Sequence, residues 1–150
     1  MTRQLILDTT NGAALSYNSG LPGKDQIAKV TLEGLLDAGG MFIAGICYRH
    51  DGFSTYWLAC LNRANLQVEL RRVVSGVATL VAAAPWTLED TAELMVMVQG
   101  TRHRVYLDGS ALPVIDTVED RGILTGVNVG IYAENGTGVK FKRFPACGLN

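Results

Sequence analysis

A pair of carboxylates about 5 Å apart on one strand face would supply the acid and the nucleophile of a retaining glycosidase. Among the acidic residues of this 150-residue chain, Glu69 stands alone between Gln67 and Arg71. Glu89-Asp90 and Glu119-Asp120 fall in connections, where solvated charge is the expectation. His50 and His103 fall in turns without a nucleophile motif beside them, so both are expected to be exposed. Cys47, Cys60 and Cys147 make an odd count without CxxC spacing, which indicates neither a disulfide framework nor zinc. Asp51, Asp108, Asp116, Glu119 and Asp120 could gather oxygens for calcium at a rim. Asp51 and Asp108, however, already serve Asp-Gly turns, and no metal or other cofactor is expected. Lys140, Lys142 and Arg143 form a basic strand edge of the kind that blocks sheet-to-sheet aggregation, and Asn135-Gly136-Thr137 fits a glycosylation sequon without an export signal to give it meaning. The residue pattern therefore points away from an enzyme.

The elements that would position any site are strands. Met41 to Leu61 holds two apolar runs about His50-Asp51-Gly52-Phe53, and Asp-Gly between apolar runs is the strongest short-range hairpin signal. A two-residue turn there would pair Tyr48 with Thr55 and Cys60 with Ile43, leaving the Cys47 and Cys60 sulfurs on the order of 13 Å apart. One face then carries Phe42, Ala44, Ile46 and Tyr48 with Thr55, Trp57, Ala59 and Leu61. The other carries Met41, Ile43, Gly45, Cys47 and Arg49 with Ser54, Tyr56, Leu58 and Cys60. Both faces are apolar, so this hairpin is either covered on two sides or exposes one face to a partner.

Around it, Gln4 to Asp8 reads as a strand and Thr9 to Asp25 as a long loop. Further strands are predicted at 27–32, 66–74, 77–84, 94–99, 104–107, 112–118, 127–133 and 139–144. About eleven short strands with turn signals at close spacing and no amphipathic helix argue for an all-β, antiparallel two-sheet β-sandwich spanning 1–150 as a single domain. Hydrophobic residues make up 48% and charged ones 18%, with mean hydropathy +0.19, in keeping with strands covered on two faces. The net charge of -1 offers no general attraction to nucleic acid or anionic membrane. Val73 to Leu88 is uncharged but falls short of a span and contains Ser75-Gly76 and Pro85. The start, MTRQLILDTT, has too short an apolar run for a signal peptide, so synthesis in a reducing cytoplasm with free thiols is expected.

The stretches DGFSTYWLACLNRANLQVELRRVVSGVATLVAAAP, ELMVMVQGTRHRVYLDG and GVNVGIYAENGTGVKFKRF resemble a laminin-G-like jelly roll of the concanavalin A-like lectin and glucanase superfamily. The resemblance implies that Trp57, Ala59 and Leu61 face the inter-sheet core and that Tyr56, Leu58 and Cys60 face outward. The superfamily's Glu-x-Asp-x-(x)-Glu catalytic strand is absent. Collected across strands, the outward set holds Tyr56, Leu58, Cys60, Gln67, Glu69, Met95, Met97, Gln99, Asn128 and Tyr132, with Arg49 near the rim. Adaptable apolar side chains on an open sheet suit a protein interface, unless the loop Thr9 to Asp25 covers them. The expected role is a non-catalytic structural module attaching to other protein subunits of an assembly. Small chains of this type resemble virion-associated modules of bacteriophages such as capsid decoration, head-fibre or tail proteins. The alternative is a carbohydrate-binding module using Tyr56, Tyr132 and Arg49.

Overall fold

A computed structural model describes residues 4–7, 13–18, 25–51, 54–119, 126–136 and 138–148, of which 4–7, 13–18 and 147–148 are described by backbone alone. Its strands, numbered in chain order, form two antiparallel sheets. The first runs β1 (Gln4–Leu7), β12 (Val139–Lys142), β3 (Gln26–Glu33), β8 (Ala92–Gln99), β9 (Arg102–Leu107), β10 (Ile115–Val118), with β13 (Ala146–Gly148) also on β3. The second runs β2 (Ala13–Asn18), β11 (Asn128–Glu134), β4 (Ile43–His50), β5 (Tyr56–Asn62), β6 (Gln67–Val74), β7 (Val77–Pro85). This is the sandwich that the strand spacing predicts. No helix among the described residues is long and apolar enough to cross a membrane.

Alternation builds the core. On β3, β8, β4, β5 and β6 every second side chain points between the sheets, where Val30, Leu32, Ile46, Trp57, Leu61, Leu70, Leu94 and Val98 are buried to within 1% of full occlusion. Each such side chain stabilises the fold by about 1.5–3 kcal/mol relative to leaving it in water. At Gly45 the β4 and β5 backbones approach so closely that a Cβ would meet the Ala59 carbonyl oxygen and the Cys60 Cα. The β6–β7 hairpin closes through Ser75 and Gly76 at φ 49 and 80, the left-handed pair that a two-residue turn requires.

Four expectations are corrected. The central hairpin pairs Tyr48 with Trp57 and Cys60 with Gly45, two residues away from the predicted register. The reason is local: the Asp51 N–H donates to the Thr55 carbonyl at 3.1 Å while the Asp51 carboxylate accepts the Thr55 N–H at 3.2 Å, closing a wider loop. A shift of two preserves which side chains share a face, and it brings Cys47, opposite Leu58, closer to Cys60 than predicted. The supposed loop 9–25 contains β2, which pairs with β11 and so extends the second sheet, and β13 is a further strand absent from the prediction. His50 and His103 are buried, because both belong to strands and not to turns.

Candidate functional site

The outward face of the second sheet gathers Cys47, Tyr56, Leu58, Cys60, Val73 and Tyr132 into a second apolar cluster, with Ile43 packed against it. These are the outward positions on β11, β4, β5 and β6, brought side by side because the four strands are neighbours. His50 stacks on Tyr56 with ring centroids 5.0 Å apart and planes 14° apart, and Tyr56 lies 6.2 Å from Tyr132. The aromatic rings thus form a continuous cluster on the sheet, and it is largely buried: Tyr56 is 9% exposed, Tyr132 8% and His50 1%.

Polar groups frame it. The Glu69 carboxylate accepts Arg71 Nε at 2.9 Å and Nη2 at 2.6 Å, and takes Asn62 Nδ2 at 3.2 Å on both oxygens. The Tyr132 hydroxyl donates to Glu134 Oε2 at 2.7 Å, and Asn135 Nδ2 reaches Oε1 at 3.3 Å. Between them lies a shallow pocket of about 320 Å³ lined by Tyr56, Leu58, Arg71, Val73, Tyr132 and Glu134, with Gly76 and Ala78 at the sheet edge. Burial pushes the Cys47 and Cys60 thiols up to about 12, so both are protonated and unreactive at neutral pH. Burial also raises the Tyr56 and Tyr132 phenols, with Glu134 adding to the shift at Tyr132. Both remain hydroxyl donors.

Of the predicted residues, Tyr56, Leu58, Cys60, Gln67, Glu69 and Tyr132 share this face, and Asn128 sits at its end opposite His50. Met95, Met97 and Gln99 do not join them. They lie on β8, flanked by β3 and β9 in the other sheet. Met95 borders a separate apolar groove of about 230 Å³ with Ile27, Pro145 and Ala146, while Arg104 Nη1 contacts Met97 Sδ at 3.9 Å. Arg49 is also displaced. Cys47 pairs with Gly130 and His50 with Asn128, so β4 carries an extra residue there, and Arg49 at φ 46 turns inward to full burial. Its N–H donates to Gln26 Oε1 at 2.9 Å, and its guanidinium meets Asp25 at 3.2 Å.

Glu134 escaped the sequence reading although Asn128, Gly130 and Tyr132 already marked its face. His50 and His103 escaped because each was assigned to a turn. His103 lies in the core, with Nδ1 2.7 Å from the Tyr48 hydroxyl and its ring centroid 4.3 Å from that of Trp57. The rim carboxylates are dispersed: Asp116 pairs with Arg102 at 2.8 Å, Asp108 accepts the Glu93 N–H at 2.9 Å, and Asp51 holds Thr55. Asp120 lies outside the described residues.

No family model matches the sequence, and no curated relative does. Solved structures match its fold. The carbohydrate-binding module CBM66 from Bacillus subtilis superposes with TM-score 0.79 at 16% identity, covering 99% of this chain and 94% of that one. Sheep galectin-11, in complex with glycerol, gives 0.61 at 10% identity over 93% and 98% of the two chains. A Bacillus licheniformis beta-glucanase gives 0.63 at 9% identity over 91% and 71%. At these identities the likeness establishes a jelly-roll sandwich of the concanavalin A-like kind; none of the three is a laminin G module or a virion protein.

Proposed function

We propose that this chain is a non-catalytic, lectin-like module that binds carbohydrate on the outward face of its second sheet. The pocket between Arg71, Tyr132 and Glu134 carries the reading. Sugars present apolar C–H faces ringed by hydroxyls that both donate and accept, so their sites combine aromatic or aliphatic floors with a few fixed polar groups. Tyr56, Leu58 and Val73, each at least nine-tenths buried, supply the floor. Glu134 offers acceptor lone pairs, and Arg71, held in place by Glu69, keeps further N–H groups to donate. The methionines that made a protein interface the better expectation belong to the other sheet, which removes the main objection to a sugar at this face. The fold likeness to CBM66 and galectin-11 adds support from outside the chain.

Screening on a glycan array, followed by calorimetric titration of the hits, tests the proposal. Binding in the millimolar range or tighter should weaken at least about tenfold in Arg71→Ala, a loss of about 1.4 kcal/mol. Silence across the array, or an Arg71→Ala variant that binds like wild type, would overturn it.

A second reading, attachment to other protein subunits of an assembly such as a virion, keeps one observation in its favour. The groove beside Met95 is almost wholly apolar in its lining. Such a surface suits a protein side chain better than a sugar.

A further inference from the structure

The six strands of the second sheet bring little charge to their outward face. β2, with sequence AALSYN, and β7, with VATLVAAAP, carry none. On β11, β4, β5 and β6 the charged side chains that alternate outward are Glu69, Arg71 and Glu134. His50 also reaches this face, where burial lowers its pKa and keeps the ring neutral at pH 7. Two carboxylates therefore face one guanidinium, and its charge is already paired: both Arg71 Nε and Nη2 are bonded to Glu69 Oε1, leaving the remaining N–H groups to donate.

The second carboxylate, Glu134, lines the pocket without an ion pair among the described residues. Its hydrogen-bond donors, the Tyr132 hydroxyl and the Asn135 amide, are neutral. The field of these carboxylates is felt by their neighbour. Burial acts to lower the Arg71 pKa, yet that pKa is raised, with the hydrogen bond and charge of Glu69 and the charge of Glu134 among the causes.

Resting on the glycan reading of this face, we infer that the pocket selects sugars by charge: it accepts neutral and amine-bearing sugars and rejects uronic, sialic and sulfated ones. A sugar carboxylate or sulfate entering between Tyr132 and Arg71 meets, among the described residues, one guanidinium already paired with Glu69, and lies against Glu134. It must either share Arg71 with Glu69 or accept the repulsion. A sugar ammonium supplies the positive charge that Glu134 lacks. At a partly buried position open to solvent on one side this difference amounts to about three- to tenfold in affinity at low ionic strength, and salt diminishes it.

Matched probes isolate charge from ring structure. Oligogalacturonate and its methyl ester differ in the acid alone, and deacetylated and N-acetylated chito-oligosaccharides present an amine against a neutral amide. Titrated at low and at high salt, the methyl ester should outbind the free acid, and the amine should outbind the amide. Both differences should shrink with salt. Glu134→Gln should bring the amine down to the affinity of the amide, with the circular dichroism spectrum unchanged. Equal or tighter binding of oligogalacturonate than of its ester, or a ranking unaltered in Glu134→Gln, overturns charge selection while leaving glycan binding in place. If none of the four probes binds and the array is silent, the glycan reading itself fails, and charge selection falls with it.

Discussion

The Glu69 carboxylate offers the sharpest test of how this face is held together. Its side chain is 2% exposed, against 19% for Arg71, and it accepts Nε and Nη2 of Arg71 together with Nδ2 of Asn62. Replacing it with Gln keeps the volume, but it removes the charge and one of the two acceptor oxygens. Breaking a buried ion pair by neutralising one member costs about 3–5 kcal/mol, because the remaining charge is stranded. Arg71 is only partly occluded and its guanidinium can swing toward water, which lowers the expected cost to about 2–3 kcal/mol. For a domain of this length that corresponds to a fall in Tm of roughly 4–12 °C.

Urea unfolding followed by tryptophan fluorescence measures the loss, with the denaturant slope expected to be unchanged. The second arm is the double variant Glu69→Gln/Arg71→Met. Once Arg71 has become apolar no charge is stranded, so the double variant should regain about 1–2 kcal/mol over Glu69→Gln alone. A single variant within about 0.5 kcal/mol of wild type would refute the claim that Glu69 anchors Arg71. So would a double variant less stable than the sum of the two singles.

Acid should weaken the fold through His103, whose pKa is pushed down to about 4, by burial first and by the Arg49 charge second. A folded-state pKa below the unfolded value near 6.5 means the unfolded chain binds the proton first. Stability is therefore full above about pH 6.5 and falls by about 2 kcal/mol by pH 5. Urea titrations at both pH values should show this, with a flatter profile in His103→Gln; an unchanged slope in that variant would assign the effect elsewhere. Gly45→Ala should cost at least about 3 kcal/mol by the same assay, because its Cβ would press on the Ala59 carbonyl at a strand pair that has no room to part. A loss under about 1 kcal/mol would mean that β4 and β5 separate easily. The edge strand β7 has no charged residue and exposes Val77 at 69% and Leu80 at 56%. Light scattering should reveal self-association that rises with concentration and disappears in Leu80→Lys; identical behaviour of the two proteins would show that the edge is already protected.

The face assignment within the central hairpin was legible because alternation has period two, and the true register differs from the simplest one by two residues. Trp57 and Leu58 fell on their correct sides although their partners were misassigned. The register itself was illegible, since it depends on the Asp51 side chain closing its loop at Thr55 and not on the identity of Asp-Gly. Alternation also says which way a side chain points but not which strand lies beside it. Tyr56 and Met97 could therefore be grouped by parity although they occupy outer faces of different sheets. Arg49 defeated the pattern for a third reason: one inserted residue in β4 breaks the period at that point. Glu134, by contrast, followed from continuing the β11 alternation one step beyond Tyr132.

That inserted residue has a mechanical consequence. Two apolar layers in contact resist separation strongly but resist sideways sliding only weakly, since one methyl contact serves nearly as well as the next. Directional bonds have no such tolerance. The backbone N–H of Arg49, on the second sheet, is fixed to the Gln26 side chain of the first, and its guanidinium to Asp25 just before β3. Arg49 thus works as a rivet through the sandwich at the His50 end of β4, locking the shear between the layers. The aromatic patch beyond it consequently stands on a platform whose position relative to the opposite sheet is set by hydrogen bonds and not by packing alone.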